Sequence, residues 1–172
     1  MFAMTSMLLF LSGVTVLIYQ MVWTQELLLV FGSSSFSILS LVAAFIGGLA
    51  FGAWFFGKWA KHYKNAFFVF ACLECGIAIY AFLTPLLFSV LVPIHRGLYT
   101  LFDSSLNIVS LLRLLLAVLI LFFPTALMGG ALPVLAQGIK NQAHRNIGRR
   151  IALLYTASIF GAGIGVLLSG FY

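Results

Sequence analysis

Hydrophobic positions along this chain come in long unbroken runs rather than in alternation. Runs of about 20 apolar residues, enough to cross the hydrocarbon as a helix, fall at about residues 3–31, 36–56, 66–92, 108–136 and 151–171. Short alternating segments of the kind a β-barrel requires are missing. The pattern predicts an all-α polytopic bundle of five transmembrane helices in a single domain. The first run has no basic leader, is too long for a signal peptide and is followed by no small-residue cleavage pattern, so it is expected to remain as a span.

Composition agrees with the pattern. Of 172 residues, 63% are hydrophobic and 7% charged, with a mean hydropathy of +1.18. So little charge cannot clothe a water-soluble domain, which leaves the lipid bilayer as the partner for most of the surface.

The net charge is +6. Lys58, Lys61 and Lys64 follow the second run, while Lys140, Arg145, Arg149 and Arg150 lie between the fourth and fifth; Arg96 and Arg113 fall in or after the third connection. Basic loops stay cytoplasmic, so the second and fourth connections and the amino terminus are expected inside. These residues lack the interleaved aromatics of a nucleic-acid surface; topology and anionic head groups account for them.

Polar residues inside the runs are the candidates for chemistry. The stretch IYQMVWTQELLLVF carries Gln20, Thr24, Gln25 and Glu26. On a helical wheel Gly13, Gln20 and Thr24 share one face, with Tyr19, Trp23 and Glu26 on its neighbour. A polar stripe in lipid has to face protein or water, so this face is expected to point inward. It reads either as interhelical hydrogen bonding or as a ligand contact.

Glu74 is the one acidic residue deep within a run. An intramembrane carboxylate suits a cation site or proton carrier, and equally a structural group paired with hydroxyls of neighbouring helices. Thr125 and Ser158 are expected at similar depth. Glu26 and Arg113 both fall near the ends of their spans opposite the basic loops, where an ion pair between the first and fourth helices would make each tolerable. Cys72 and Cys75 flank Glu74 as C-x-x-C, but a zinc site needs more ligands and a thioredoxin motif a βαβ setting, so two buried apolar thiols are expected and no metal or cofactor.

Small residues and prolines mark packing and bending. Gly48 and Gly52 in the second run, and Gly161 and Gly165 in the fifth, are four apart, which places them on one helix face for close helix contact. The GAGIG of the fifth run follows no strand and is not a dinucleotide loop. The fourth run, about 45 Å long at 1.5 Å per residue, holds Pro124, then Gly129, Gly130 and Pro133. That combination predicts a kinked or interrupted helix near Pro124. No catalytic constellation of the Ser-His-Asp, paired-carboxylate or phosphate-loop kind is present, so the chain is not expected to be an enzyme.

Four blocks, SGVTVLIYQMVWTQELLLVFGSS, AAFIGGLAFGAWFFGKWA, FPTALMGGALPVLAQ and IGRRIALLYTASIFGAGIGVLLSG, resemble in order and spacing the membrane region of the spermidine-synthase-like membrane proteins, described as fused major-facilitator/spermidine-synthase proteins. The resemblance covers nearly the whole chain and implies a half-facilitator-like bundle in a bacterial inner membrane. In that family a Rossmann-type aminopropyltransferase domain follows; it does not follow here, so any such activity would come from a separate chain. Glu74 matches the family's Leu-Glu pattern. Gln20 stands where the family has an acidic residue, Gln25 where it has a basic one, Ser158 where it has asparagine and Lys61 where it has an acidic residue.

Two functions are compatible with these residues. One is an accessory or assembly subunit of a larger membrane complex, packing on other subunits through the glycine faces of the second and fifth helices; the lost charges favour it. The other is a transport or small-molecule module for a polyamine-like cation, built around Glu74 and acting as a homo-oligomer or with a partner chain. A piece of a longer, split protein is also compatible.

Overall fold

The computed structural model describes residues 2–31, 35–62, 65–101, 106–142 and 146–171. Five helices fill these segments: α1 (Phe2–Phe31), α2 (Ser35–Trp59), α3 (Ala66–Leu101), α4 (Leu106–Gln142) and α5 (Ile147–Gly170), with a short 3-10 turn at Ala60–His62. No strand occurs among the described residues. Each helix is long and apolar enough to cross a membrane, so the chain is an integral membrane protein whose backbone hydrogen bonds are met within its own helices.

The helices do not pack evenly. α2 lies closely along α4, and α1 closely along α5; α3 rests on α4, and the contact between α1 and α3 is sparse. Glycines explain both tight pairs. A methyl group added at Gly52 would strike the Ala126 carbonyl and one at Gly129 the Leu49 carbonyl, while Gly48 faces the Thr125 side chain. In the other pair Gly161 and Gly165 meet the Phe10 and Val14 carbonyls, and Gly13 meets that of Ser158. Where lipid tails are as apolar as leucine, such approach is what lets dispersion hold helices together. In both pairs the contacting numbers rise together along the two helices, so the partners run parallel.

This arrangement revises one expectation. The faces of Gly48, Gly52, Gly161 and Gly165 close on α4 and α1 of the same chain, so they are not free to seat another subunit.

Of the kinked or interrupted helix expected near Pro124, the interrupted form is excluded: α4 runs unbroken from Leu106 to Gln142 through Pro124 and Pro133. Pro124 has no N–H for the Ile120 carbonyl four residues earlier; the Tyr80 hydroxyl of α3 donates to that carbonyl instead, at 2.6 Å. Gly129 and Gly130 serve as contact points for Leu49 and Phe56 of α2, which offsets their poor helix propensity. Within this helix the described residues Val118–Lys140 are by themselves long and apolar enough to cross a membrane.

Two apolar clusters fill the interior. Leu9, Phe70, Leu73, Val134, Leu135 and Leu154 belong to the one nearer Lys140 and Arg150. Trp23, Leu27, Leu41, Ile77, Phe88 and Leu121 belong to the other. At the basic end, the Arg150 guanidinium lies 5.6 Å from the Phe2 ring and the Lys58 ammonium 5.6 Å from the Trp54 ring. Such contacts suit cations held where an aromatic belt meets head groups. Lys64 and Arg145 lie outside the described residues, as does the side chain of Lys61.

Glycine substitutions separate close contact from mere smallness. Gly52→Ala and Gly161→Ala should each cost about 1–3 kcal/mol by overpacking and lower the unfolding midpoint in detergent. Gly47→Ala and Gly163→Ala, where an added methyl meets nothing within 4 Å, should leave it unchanged or raise it.

Candidate functional site

Glu74 is placed by the face that α3 turns inward. Phe70, Leu73, Ile77, Thr84, Phe88 and Leu91 are its buried positions, and Glu74, next to Leu73, falls at the edge of that stripe and is half-buried. On α1 the stripe facing α3 runs through Ser12, Tyr19, Trp23 and Leu27. Ser12, buried at 6% exposure, donates its Oγ–H to Glu74 Oε1 at 2.6 Å. Short O–H···O⁻ bonds of this length are charge-assisted and strong. The pair sits at the waist of the bundle, since Leu73 belongs to one apolar cluster and Ile77 to the other.

Ser12 is a partner that the sequence did not single out. It is one of two serines in α1, and its role depends on which face α1 presents to α3. The signal that could have found it is its spacing: Ser12, Tyr19 and Trp23 repeat at seven and four residues, the period of a packed seam.

The other expected polar positions do not gather at Glu74. Thr125 is fully buried, yet its hydroxyl turns back on its own helix, donating to the Leu121 carbonyl at 2.5 Å and approaching the Phe122 carbonyl at 3.2 Å. It packs against Gly48 in the α2–α4 contact. Ser158 belongs to the α1–α5 contact and lines a cavity of about 480 Å³ between the two tight pairs, alongside Ser12 and Gly129. Gln20 and Thr24 are half-buried on α1, whereas Gln25 and Glu26 are exposed. The inward stripe of α1 is therefore carried by Ser12, Tyr19 and Trp23, displaced from the Gln20 and Thr24 face. The expected Glu26–Arg113 ion pair lies outside the described residues, because the Arg113 side chain does.

The cysteines need correction. Cys72 and Cys75 are free and exposed on the outer surface of α3, not buried. The stripe through Leu73 and Ile77 turns its neighbours at 72 and 75 outward to lipid. Among the described residues no three His, Cys, Asp or Glu side chains come together as a metal site would require.

Aromatic contacts brace the pair on its far side. Tyr19 stacks on Trp23 with ring centroids 5.4 Å apart, and Trp23 meets Tyr80 edge-on at 5.7 Å. Tyr80 then carries the connection to α4 through the Ile120 carbonyl. One residue thus links α1, α3 and α4 half a membrane away from the basic end. Comparison with protein families, curated proteins and solved structures matches none to this chain.

The Tyr80 hydroxyl and the Pro124 ring form one unit, which a double-mutant cycle can read. Tyr80→Phe should cost about 0.6–1.7 kcal/mol, the range for interhelical hydrogen bonds in membranes. In a Pro124→Ala background, where a backbone amide is returned to the Ile120 carbonyl, the same change should cost clearly less. Additive effects would show that the two do not share that carbonyl.

Proposed function

We propose that this chain is a transport-type binding module in which Glu74 takes a cation. The observation that carries the reading is the Ser12–Glu74 hydrogen bond placed across the sparsely packed α1–α3 seam. Two glycine-locked pairs supply rigid blocks, and a carboxylate between blocks can exchange its hydroxyl donor for a cation without unpacking either. An uncompensated carboxylate in a bilayer is costly, which is why such groups usually serve an ion or proton path.

The resemblance to the spermidine-synthase-like membrane proteins adds a substrate class, a polyamine-like cation, and a setting in a bacterial inner membrane with a separate synthase chain nearby. Lys58, Lys140, Arg149 and Arg150 fall toward one end of the bundle and support a cytoplasmic position for that end and for the amino terminus. Five spans make less than a full facilitator, so the reading calls for a homo-oligomer or a second subunit. An accessory or assembly role in a larger complex is the competing reading. Its interface would have to lie on the lipid-facing surface, because the glycine faces are already occupied.

Spermidine binding to detergent-purified protein, followed by scintillation proximity, tests the assignment. Glu74→Gln keeps an acceptor for Ser12 but removes the charge. It should weaken binding at least about tenfold, the loss of one charge-assisted contact, with helix content unchanged. Equal binding by both proteins, or none by either alongside stoichiometric co-purifying subunits, would move the function to the accessory role.

A further inference from the structure

A second polar site lies away from Glu74, in the half of the α1–α3 seam distant from the basic loops. Two cavities meet there. One, of about 440 Å³, is lined by Tyr19, Trp23, Glu26, Thr84, Pro85 and Phe88 among others. The next, of about 510 Å³, shares Glu26, Pro85 and Phe88 and adds Ser89. Glu26 stands at their junction, with its side chain exposed.

Beside the Tyr19 hydroxyl and the Trp23 indole N–H, the polar groups of this groove are acceptors. Glu26 offers a carboxylate. The Thr84 hydroxyl spends its proton on the Tyr80 carbonyl at 3.0 Å, and the Ser89 hydroxyl on the Leu86 carbonyl at 2.7 Å, so each oxygen has only lone pairs left to offer. Two prolines add more. Pro85 and Pro93 lie within α3 and have no N–H for the carbonyls four residues before them, those of Ala81 and Ser89. Both residues line the groove. An acceptor-rich, singly anionic groove between apolar walls matches a ligand with several N–H donors, one positive charge and an apolar body.

We propose that this groove binds the primary ammonium head group of an aminophospholipid entering sideways from the bilayer. The groove opens at the lipid-facing surface near the ends of the Phe2–Val30 and Ala66–Pro93 spans, where head groups lie. Glu26 is four residues from the end of its span, about 6 Å at 1.5 Å per residue. A lipid ammonium reaches that depth by bending inward, as lysine side chains do in the opposite direction. The Tyr19–Trp23 stack provides aromatic surface beside the cation. Hydrogen-bond donors decide the selectivity: an ethanolamine head group brings three N–H groups, while choline carries the same charge and none. The site is independent of Glu74, so either assignment can fail without the other.

The experiment is native mass spectrometry of the purified protein equilibrated with equimolar phosphatidylethanolamine and phosphatidylcholine of matched chains. Wild type should retain the ethanolamine lipid about tenfold over the choline lipid, the value of one hydrogen bond to a charged group, with N-methylated ethanolamine lipids falling between. Glu26→Gln should abolish the preference. Pro85→Ala, which returns a donor to the Ala81 carbonyl and leaves the charge untouched, should reduce it severalfold. Thermal unfolding of each variant confirms that it is folded, and the methylation series on wild type needs no variant. Equal retention of the two lipids overturns the proposal. So does a preference that survives Glu26→Gln, one that emerges only on Arg113→Gln, or retention of dodecylamine with the ethanolamine lipid ignored.

Discussion

Close backbone approach at glycine is the interaction on which the rest of this bundle depends. In a bilayer, burying a leucine against a helix gains nothing over burying it in lipid, so association rests on contact distance. Gly52 and Gly129 bring α2 and α4 together, and Gly13, Gly161 and Gly165 bring α1 and α5 together. Because that geometry consumes the small faces within the chain, the remaining seams have to be held by larger side chains and by hydrogen bonds. The Ser12–Glu74 bond and the Trp23–Tyr80 contact both fall on such a seam.

A second constraint is backbone satisfaction. Each proline within a transmembrane helix leaves a carbonyl without its usual donor. For Pro124 a tyrosine on the neighbouring helix supplies the donor, so a local defect in α4 becomes a bond that positions α3. At Pro85 and Pro93 the freed carbonyls belong to Ala81 and Ser89, which line the α1–α3 groove. The same covalent feature thus fixes one interface and leaves polarity open at another, and the difference lies in whether a hydroxyl is within reach.

Much of the architecture was legible in the residues. Five long apolar runs give five spans because length and hydropathy are summed properties, insensitive to tertiary detail. The glycine pairs were legible as close-contact faces, but not their partners, since spacing within one helix says nothing of which helix comes near. For the same reason Glu74 was singled out while Ser12, marked only by its spacing from Tyr19 and Trp23, was not, and Thr125 and Ser158 were grouped with Glu74 by depth although they belong to different helix pairs. Pro124 left an interruption open beside a kink because the residue that satisfies its freed carbonyl, Tyr80, lies 44 positions away in the sequence. The cysteines were misplaced because an apolar thiol is content in lipid as well as in a core.

The unequal helix lengths carry a consequence for the surrounding membrane. α3 and α4 contain 36 and 37 residues, against 25 and 24 for α2 and α5. The longer pair is about 54 Å end to end at 1.5 Å per residue, and the shorter helices about 37 Å. Hydrocarbon thickness is matched by apolar length rather than by helix length, so turns of a helix that outrun it either tilt or emerge among the head groups. The head-group layer beside α3 and α4 therefore meets more protein than the layer beside α5.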